Sequence, residues 1–200
     1  MSEGRPLQVP VHYDLASTLC YVAHRTLPRI AEPLREVGVE LIWSPLDLAA
    51  LLGWRRGEPV TGRRRENALA VAEEFAIRVR MPTHWIDSRR AMALGLTLPD
   101  ADAQASWRER VFCAVFEEGR PIERDGDLAP LAADLGLSLE PDALEAGLAE
   151  LARLTELARD SEVTGVPSFQ LGAWPIGGIQ SHETMLSILS RWATRQQPRA

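Results

Sequence analysis

The sequence predicts an α/β fold whose sheet is interrupted by a large all-helical insertion. Residues 8–14 alternate apolar and polar and are followed by a helix and a second strand-like run at 39–43. Residues 63–159 then carry helical periodicity without a strand pattern. Near the end, a hairpin pattern precedes one more amphipathic helix.

In order, Gln8 to Asp14 suit a short strand. Ser17 or Thr18 can cap a helix reaching about residue 37, with Leu19, Val22, Ala23, Leu27 and Ile30 spaced at three or four. Pro28 and Pro33 should kink or split that helix, because proline removes a donor and clashes with the preceding turn. Gly38 ends it, and Val39 to Trp43 read as the second strand. Strand–helix–strand favours a parallel pair with a right-handed crossover.

The glycines and Pro59 within residues 53–62 read as a loop. Arg63 to Arg80 reads as a helix that Pro82 stops, with Ala68, Val71, Ala72, Phe75 and Val79 on one face. Further helices are expected over Ala101–Glu118, Leu128–Leu135 and Pro141–Arg159. Gly136 supplies a stop, and Pro141, behind Leu139-Glu140, supplies a first-turn start. Ser168–Leu171, a Gly172-Ala173 turn and Trp174–Ile176 make the hairpin. Ser181 then caps a helix with Met185, Leu186, Ile188, Leu189 and Trp192 inward.

Composition narrows the function classes. The 200 residues carry a net charge of −6, and all 22 basic residues are arginine. Without lysine there is no Schiff-base lysine, lysine base or Walker-type phosphate lysine. An acidic chain with scattered arginines argues against a nucleic-acid surface. The run Arg63-Arg64-Arg65 reads first as a solvated face. Cys20 and Cys113 are too few for a disulfide scaffold. No eighteen-residue apolar run is present, and Met1–Pro10 lacks the apolar core of a signal peptide, so no membrane partner and a cytoplasmic location are expected.

Two segments carry chemistry. In Asp14-Leu15-Ala16-Ser17-Thr18-Leu19-Cys20-Tyr21 a strand hands over to a helix, whose N–H groups and dipole favour a thiolate or other anion. Gly165-Val166-Pro167 precedes a strand, where a cis Val166–Pro167 bond would present the Val166 backbone to an extended ligand.

In this order, flanking a helical block, these motifs resemble the DsbA-like branch of the thioredoxin superfamily. That branch includes DsbA-like oxidoreductases, kappa-class glutathione transferases and 2-hydroxychromene-2-carboxylate isomerases. Met81-Pro82-Thr83-His84-Trp85, Val111-Phe112-Cys113-Ala114-Val115-Phe116-Glu117-Glu118-Gly119 and Gly178-Ile179-Gln180-Ser181 add to the likeness. The resemblance implies a thioredoxin-like fold from residues 1–62 and 160–200, with 63–159 as the helical insertion domain. It also implies a cytoplasmic homodimer acting on a small molecule.

Oxidoreductases of the group carry Cys-x-x-Cys where this chain reads Ser17-Thr18-Leu19-Cys20. A serine cannot attack a mixed disulfide, so dithiol cycling is not expected. The transferase and isomerase relatives do have serine there, its hydroxyl donating to glutathione sulfur. The resemblance therefore implies catalytic roles for Ser17 and Cys20, with glutathione as cofactor. It implies that Val166 and Pro167 align the thiol's peptide part, and that Gln180 and Ser181 face its carboxylate end. Those relatives usually have an Asp-Arg pair where Ser181-His182 stands, and a lysine near Arg63. Both departures lower the expected glutathione affinity, and an arginine of the 63–65 run could replace the lysine.

Cys20 reads as an inert buried thiol before a reactive one, and Cys113 as core. The four histidines show no metal spacing; His12 could be a base but reads first as structural. Trp43 and Trp85 could line an apolar pocket. The expected function is thus a glutathione-dependent isomerisation or transfer on a small aromatic or apolar electrophile. The alternatives are a divergent DsbA-like oxidoreductase using Cys20 alone, and an inactive module binding an extended peptide at Val166-Pro167.

Overall fold

The computed structural model describes residues 5–137 and 140–196, so Leu139 and both chain ends lie outside the described residues. Strands β1 (Leu7–Tyr13) and β2 (Val39–Pro45) run parallel, with Leu7 opposite Val39 and Tyr13 opposite Pro45. Between them the expected long helix is split. Helix α1 (Thr18–Thr26) gives way at Leu27 to α2 (Pro28–Glu36), where a proline at the first position costs no hydrogen bond. Strands β3 (Ser168–Leu171) and β4 (Trp174–Gly177) form the hairpin, turning at Gly172 with φ +65°. β3 pairs antiparallel with β1, giving the order β2-β1-β3-β4.

The remaining helices are α3 (Leu48–Leu52), α4 (Gly62–Glu74), α5 (Arg89–Leu96), α6 (Ala101–Cys113), α7 (Asp125–Ala133), α8 (Pro141–Asp160) and α9 (His182–Gln196). A single π-helical segment, Ala114–Glu118, continues α6 to Gly119, which takes φ +69°. Helices α4 to α8 fall between residues 62 and 160, and the four strands among the described residues lie outside that span.

Three features depart from the sequence expectation. Helix α4 stops at Glu74 rather than Arg80. The N–H groups of Ala76 and Ile77 close back onto Glu73 and Ala72 (2.9 and 2.8 Å), with Ala76 in the left-handed region at φ 54°. Glycine would normally signal such an ending, so an alanine there conceals it. The stop frees Ile77 and Val79 to pack on the helical core. The other two departures are α3, capped by Asp47 through the N–H of Ala50 (3.1 Å), and α5, neither of which the sequence pattern separated from its surroundings.

Two hydrophobic cores hold these layers. Val9, Val11 and Phe169 of the sheet pack on Leu27, Ile30 and Leu34 and on Met185 and Leu189 of α9. A larger core joins Tyr13, Leu15 and Tyr21 to Trp107, Phe112, Phe116, Leu128, Leu131 and Leu151, and it reaches Val166. Full burial of such a side chain contributes about 1.5–3 kcal/mol. Helices α5 and α8 approach closely enough that a Cβ on Gly147 would sit 2.8 Å from the carbonyl carbon of Ala93. Among the described residues no helix is long and apolar enough to cross a membrane.

Candidate active site

The turn from β1 into α1 is fixed by one buried carboxylate. Asp14 Oδ1 accepts from the N–H of Ala16 (2.8 Å) and the hydroxyl of Ser88 (2.5 Å), and Oδ2 from the N–H of Leu48 (2.9 Å). The Asp14 carbonyl also accepts from the N–H of Ser17 (3.0 Å). Three segments, the β1–α1 turn, the start of α3 and the stretch before α5, are thereby clamped around the residue that starts the helix. Burial pushes the Asp14 carboxyl up to about 6, against the pull of its three donors.

Ser17 is the N-cap of α1, with φ −90° and ψ 117°, and its Oγ accepts from the N–H of Cys20 (3.3 Å). Its own O–H proton has no oxygen or nitrogen acceptor among the described residues. Ser17 opens on a cavity of about 160 Å³ together with Trp54, Arg64, Met81, Trp85 and Val166. One wall is built where the loop after α3 pairs with the segment before α5. There Trp85 N–H donates to Glu58 (2.7 Å), Gly57 N–H to Trp85 (2.8 Å) and Val60 N–H to Thr83 (3.0 Å). Trp54 packs edge-on to Trp85 at 5.0 Å, and the Arg64 guanidinium lies 3.6 Å from the Trp54 ring centre. Thr18 donates to Met81 Sδ at 3.3 Å, tying helix to wall.

Opposite, the Val166–Pro167 bond is cis, and the Pro167 carbonyl accepts from Gly178 (2.8 Å). Neither the N–H nor the C=O of Val166 has a backbone partner among the described residues. Ser17 and Val166 are therefore brought to one cleft. Gln180 and Ser181 are not among its lining. Both are exposed; Ser181 caps α9 by accepting from Thr184 N–H (3.2 Å), and His182 Nε2 meets the Thr26 carbonyl at 3.1 Å.

A catalytic thiol at Cys20 finds no support in this geometry. The side chain is fully buried, does not line the cleft, and burial pushes its thiol up to about 12. Cys113 is not core: it is half-buried at the edge of an ionic cluster, hydrogen-bonded with Arg25 (3.1 Å) and Glu109 (3.2 Å). Burial is the largest cause, ahead of Glu109, of its rise to about 12. With both thiols protonated at neutral pH, alkylation by iodoacetamide at pH 7.5 should be slow in the folded protein and complete only after denaturation. Mass spectrometry of the two peptides checks this, and fast labelling of Cys20 would contradict it.

Of the tryptophans, Trp85 lines the cleft, whereas Trp43 does not. Trp43 packs edge-on to Tyr13 (5.3 Å) and His24 (5.7 Å) elsewhere. His12 lies buried in the sheet opposite Ser44 and Ser168, where burial lowers its pKa and keeps the ring neutral. It does not reach the cleft as a base. No His, Cys, Asp or Glu group suited to a metal occurs among the described residues. Asn67, Trp54 and Met81 were not singled out individually as site residues by sequence reasoning. The one available signal was spacing, since Arg64, Asn67 and Ala68 recur at i, i+3 and i+4 along one face of α4.

A family model for the DSBA-like thioredoxin domain matches residues 8–190, the span that holds the Ser17 turn, the helical block and the Val166–Pro167 bond. The chain belongs to the DSBA-like thioredoxin family. This DSBA-like chain shares its fold with a 2-hydroxychromene-2-carboxylate isomerase at 21% identity and a TM-score of 0.68, covering 94% of this chain and 96% of that one. It is also similar to a probable DsbA oxidoreductase from Streptomyces coelicolor, at 20% identity, TM-score 0.72 and coverage of 96% and 92%. The cytosolic disulfide reductase DsbM from Pseudomonas aeruginosa, solved with glutathione, matches at 22% identity, TM-score 0.61 and coverage of 94% and 96%. Among curated proteins no match is found.

Proposed function

We propose that this DSBA-like protein is a cytoplasmic enzyme that uses an external thiol, glutathione or a close relative, to isomerise or conjugate a small apolar or aromatic electrophile. The observation that carries the reading is Ser17, whose hydroxyl proton has no oxygen or nitrogen acceptor among the described residues and which lines the cleft together with Val166, whose backbone is unpaired among them. A thiol seated there would pair its peptide backbone with Val166 beside Pro167 and present its sulfur to Ser17. The Ser17 O–H donates to the sulfur and favours the thiolate, assisted by the N–H groups at the start of α1. The thiolate then adds to a polarised carbon. Expulsion after bond rotation returns the thiol and gives isomerisation; retention with uptake of a proton gives the conjugate.

Arg64 at the cleft rim supports binding of a carboxylate-bearing thiol, supplying the cation that the lysine-free loop lacks. Gln180 and Ser181 remain proposed contacts for the far carboxylate, outside the cleft proper. The walls of Trp54, Trp85 and Met81 suit an apolar substrate. DsbM was solved with glutathione, which is consistent with this ligand in the fold. The burial of Cys20 weighs against a single-cysteine oxidoreductase, and the inactive peptide-binding module uses the same Val166 edge without needing Ser17. Calorimetric titration with glutathione separates them: binding that weakens in Ser17→Ala supports the enzyme, whereas no binding in either protein overturns it. We propose a homodimer as the assembly.

A further inference from the structure

A second cavity, of about 320 Å³, lies between α1, α2, β2 and α6 and shares no residue with the Ser17 cleft. Its inner end is Arg108, only 8% exposed. The guanidinium lies 4.6 Å from the Trp43 ring centre and 5.7 Å from that of Tyr13, and no carboxylate is within salt-bridging distance among the described residues. Its Nε is buried without a hydrogen-bond partner. The neighbouring acid, Glu109, is engaged elsewhere by His24 (2.6 Å) and Arg25 (2.8 Å). Tyr13, beside Arg108, is held neutral by its own burial and supplies no counter-charge.

A buried cation without an anion is costly, and stacking on aromatic rings offsets only part of that cost. The walls leading to Arg108 are apolar, with Leu34, Leu41 and Trp43 on opposite sides. Arg35 and Glu40 stand at the rim, where Arg35 already pairs with Glu32. A planar guanidinium behind apolar walls matches a carboxylate on a flat apolar body. A phosphate would need more donors, and of those in the wall His24 Nε2 is already engaged by Glu109 and Arg35 by Glu32.

We propose that this cavity is a binding site for a small apolar or aromatic carboxylic acid, with Arg108 as its anion partner. The site stands independently of the Ser17 reading. The test is calorimetric titration of the full chain with 1-naphthoate, 1-naphthamide and inorganic phosphate. Naphthoate should bind with Kd below about 1 mM, the amide and phosphate about tenfold or more weaker. Arg108→Met should cost about tenfold or more in naphthoate affinity without lowering the thermal midpoint, because an apolar side chain of similar length replaces a buried charge. Should Arg108→Met fail to fold, Arg108→Lys keeps the charge, loses the fork and should still weaken binding. Undiminished binding in these variants, or none to wild type, overturns the site. So does binding abolished by Trp54→Ala, which would put the acid in the Ser17 cleft. A dimer that dissolves in Arg108→Met also overturns it, since a second copy's acid would then be the partner.

Discussion

Ser17→Ala should lower kcat/KM for glutathione-dependent turnover by about 10- to 150-fold, the value of one hydrogen bond of about 1.5–3 kcal/mol to a charged group. The hydroxyl does two things in this fold. It caps α1 through the Cys20 N–H, and it holds a proton that no oxygen or nitrogen among the described residues accepts. Loss of the cap alone costs about 1 kcal/mol, roughly 2–4 °C of thermal midpoint in a chain of this size. A merely structural Ser17 would show that stability loss with kcat/KM unchanged. Ser17→Thr keeps both hydroxyl functions and should retain most of the activity if the methyl group is accommodated. Steady-state kinetics at fixed glutathione, beside thermal denaturation of each variant, separate the two contributions.

Asp14→Ala should destabilise the fold by about 2–4 kcal/mol at pH 7, lowering the thermal midpoint by roughly 5–15 °C. Three donors lose their acceptor: the Ala16 and Leu48 N–H groups and the Ser88 hydroxyl. Each orphaned donor costs about 1–3 kcal/mol, and relief of the buried charge offsets only part of the sum. The pH dependence has a defined sign. The Asp14 carboxyl sits at about 6 in the folded state against 3.8 ordinarily, so the folded protein binds the extra proton. Its contribution is fully present below about pH 4 and is lost as pH rises toward 6, with little change above. Paired carboxylates such as Glu109 and Glu117, held below their ordinary range, act in the opposite direction. The test is therefore the difference between wild type and Asp14→Asn in denaturant melts across pH 4–7. Asp14→Asn should lack the downward slope, and identical slopes would contradict the assignment.

Much of this site was written locally. A serine a few residues after an alternating strand marks an N-cap, Pro28 marks the split between α1 and α2, and Val166-Pro167 ahead of Ser168 marks the other edge of the cleft. Glycine 172 marks the hairpin turn. These features act through residues a few positions apart, so spacing alone exposes them. The cleft wall does not work that way. Trp54, Arg64, Met81 and Trp85 meet only because the loop after α3 pairs with the segment before α5. Ala76 hides the end of α4 because its left-handed backbone follows from packing Ile77, not from its own preference. Cys113 reads as core on an apolar stretch, yet Arg25 arrives from α1 to join Glu109 and Glu117, one turn either side of the cysteine, and makes its surroundings ionic. Trp43 follows the same rule, drawn away from the cleft by Tyr13, His24 and Arg108.

The most direct measurement of the central claim is the titration of the glutathione thiol on the protein, followed by thiolate ultraviolet absorbance in wild type and Ser17→Ala. If Ser17 stabilises the thiolate, the bound thiol titrates about one to two units below its free value in wild type and returns most of the way in Ser17→Ala. A bound thiol that titrates at its free value in wild type, or shifts equally in both proteins, would contradict the role of Ser17.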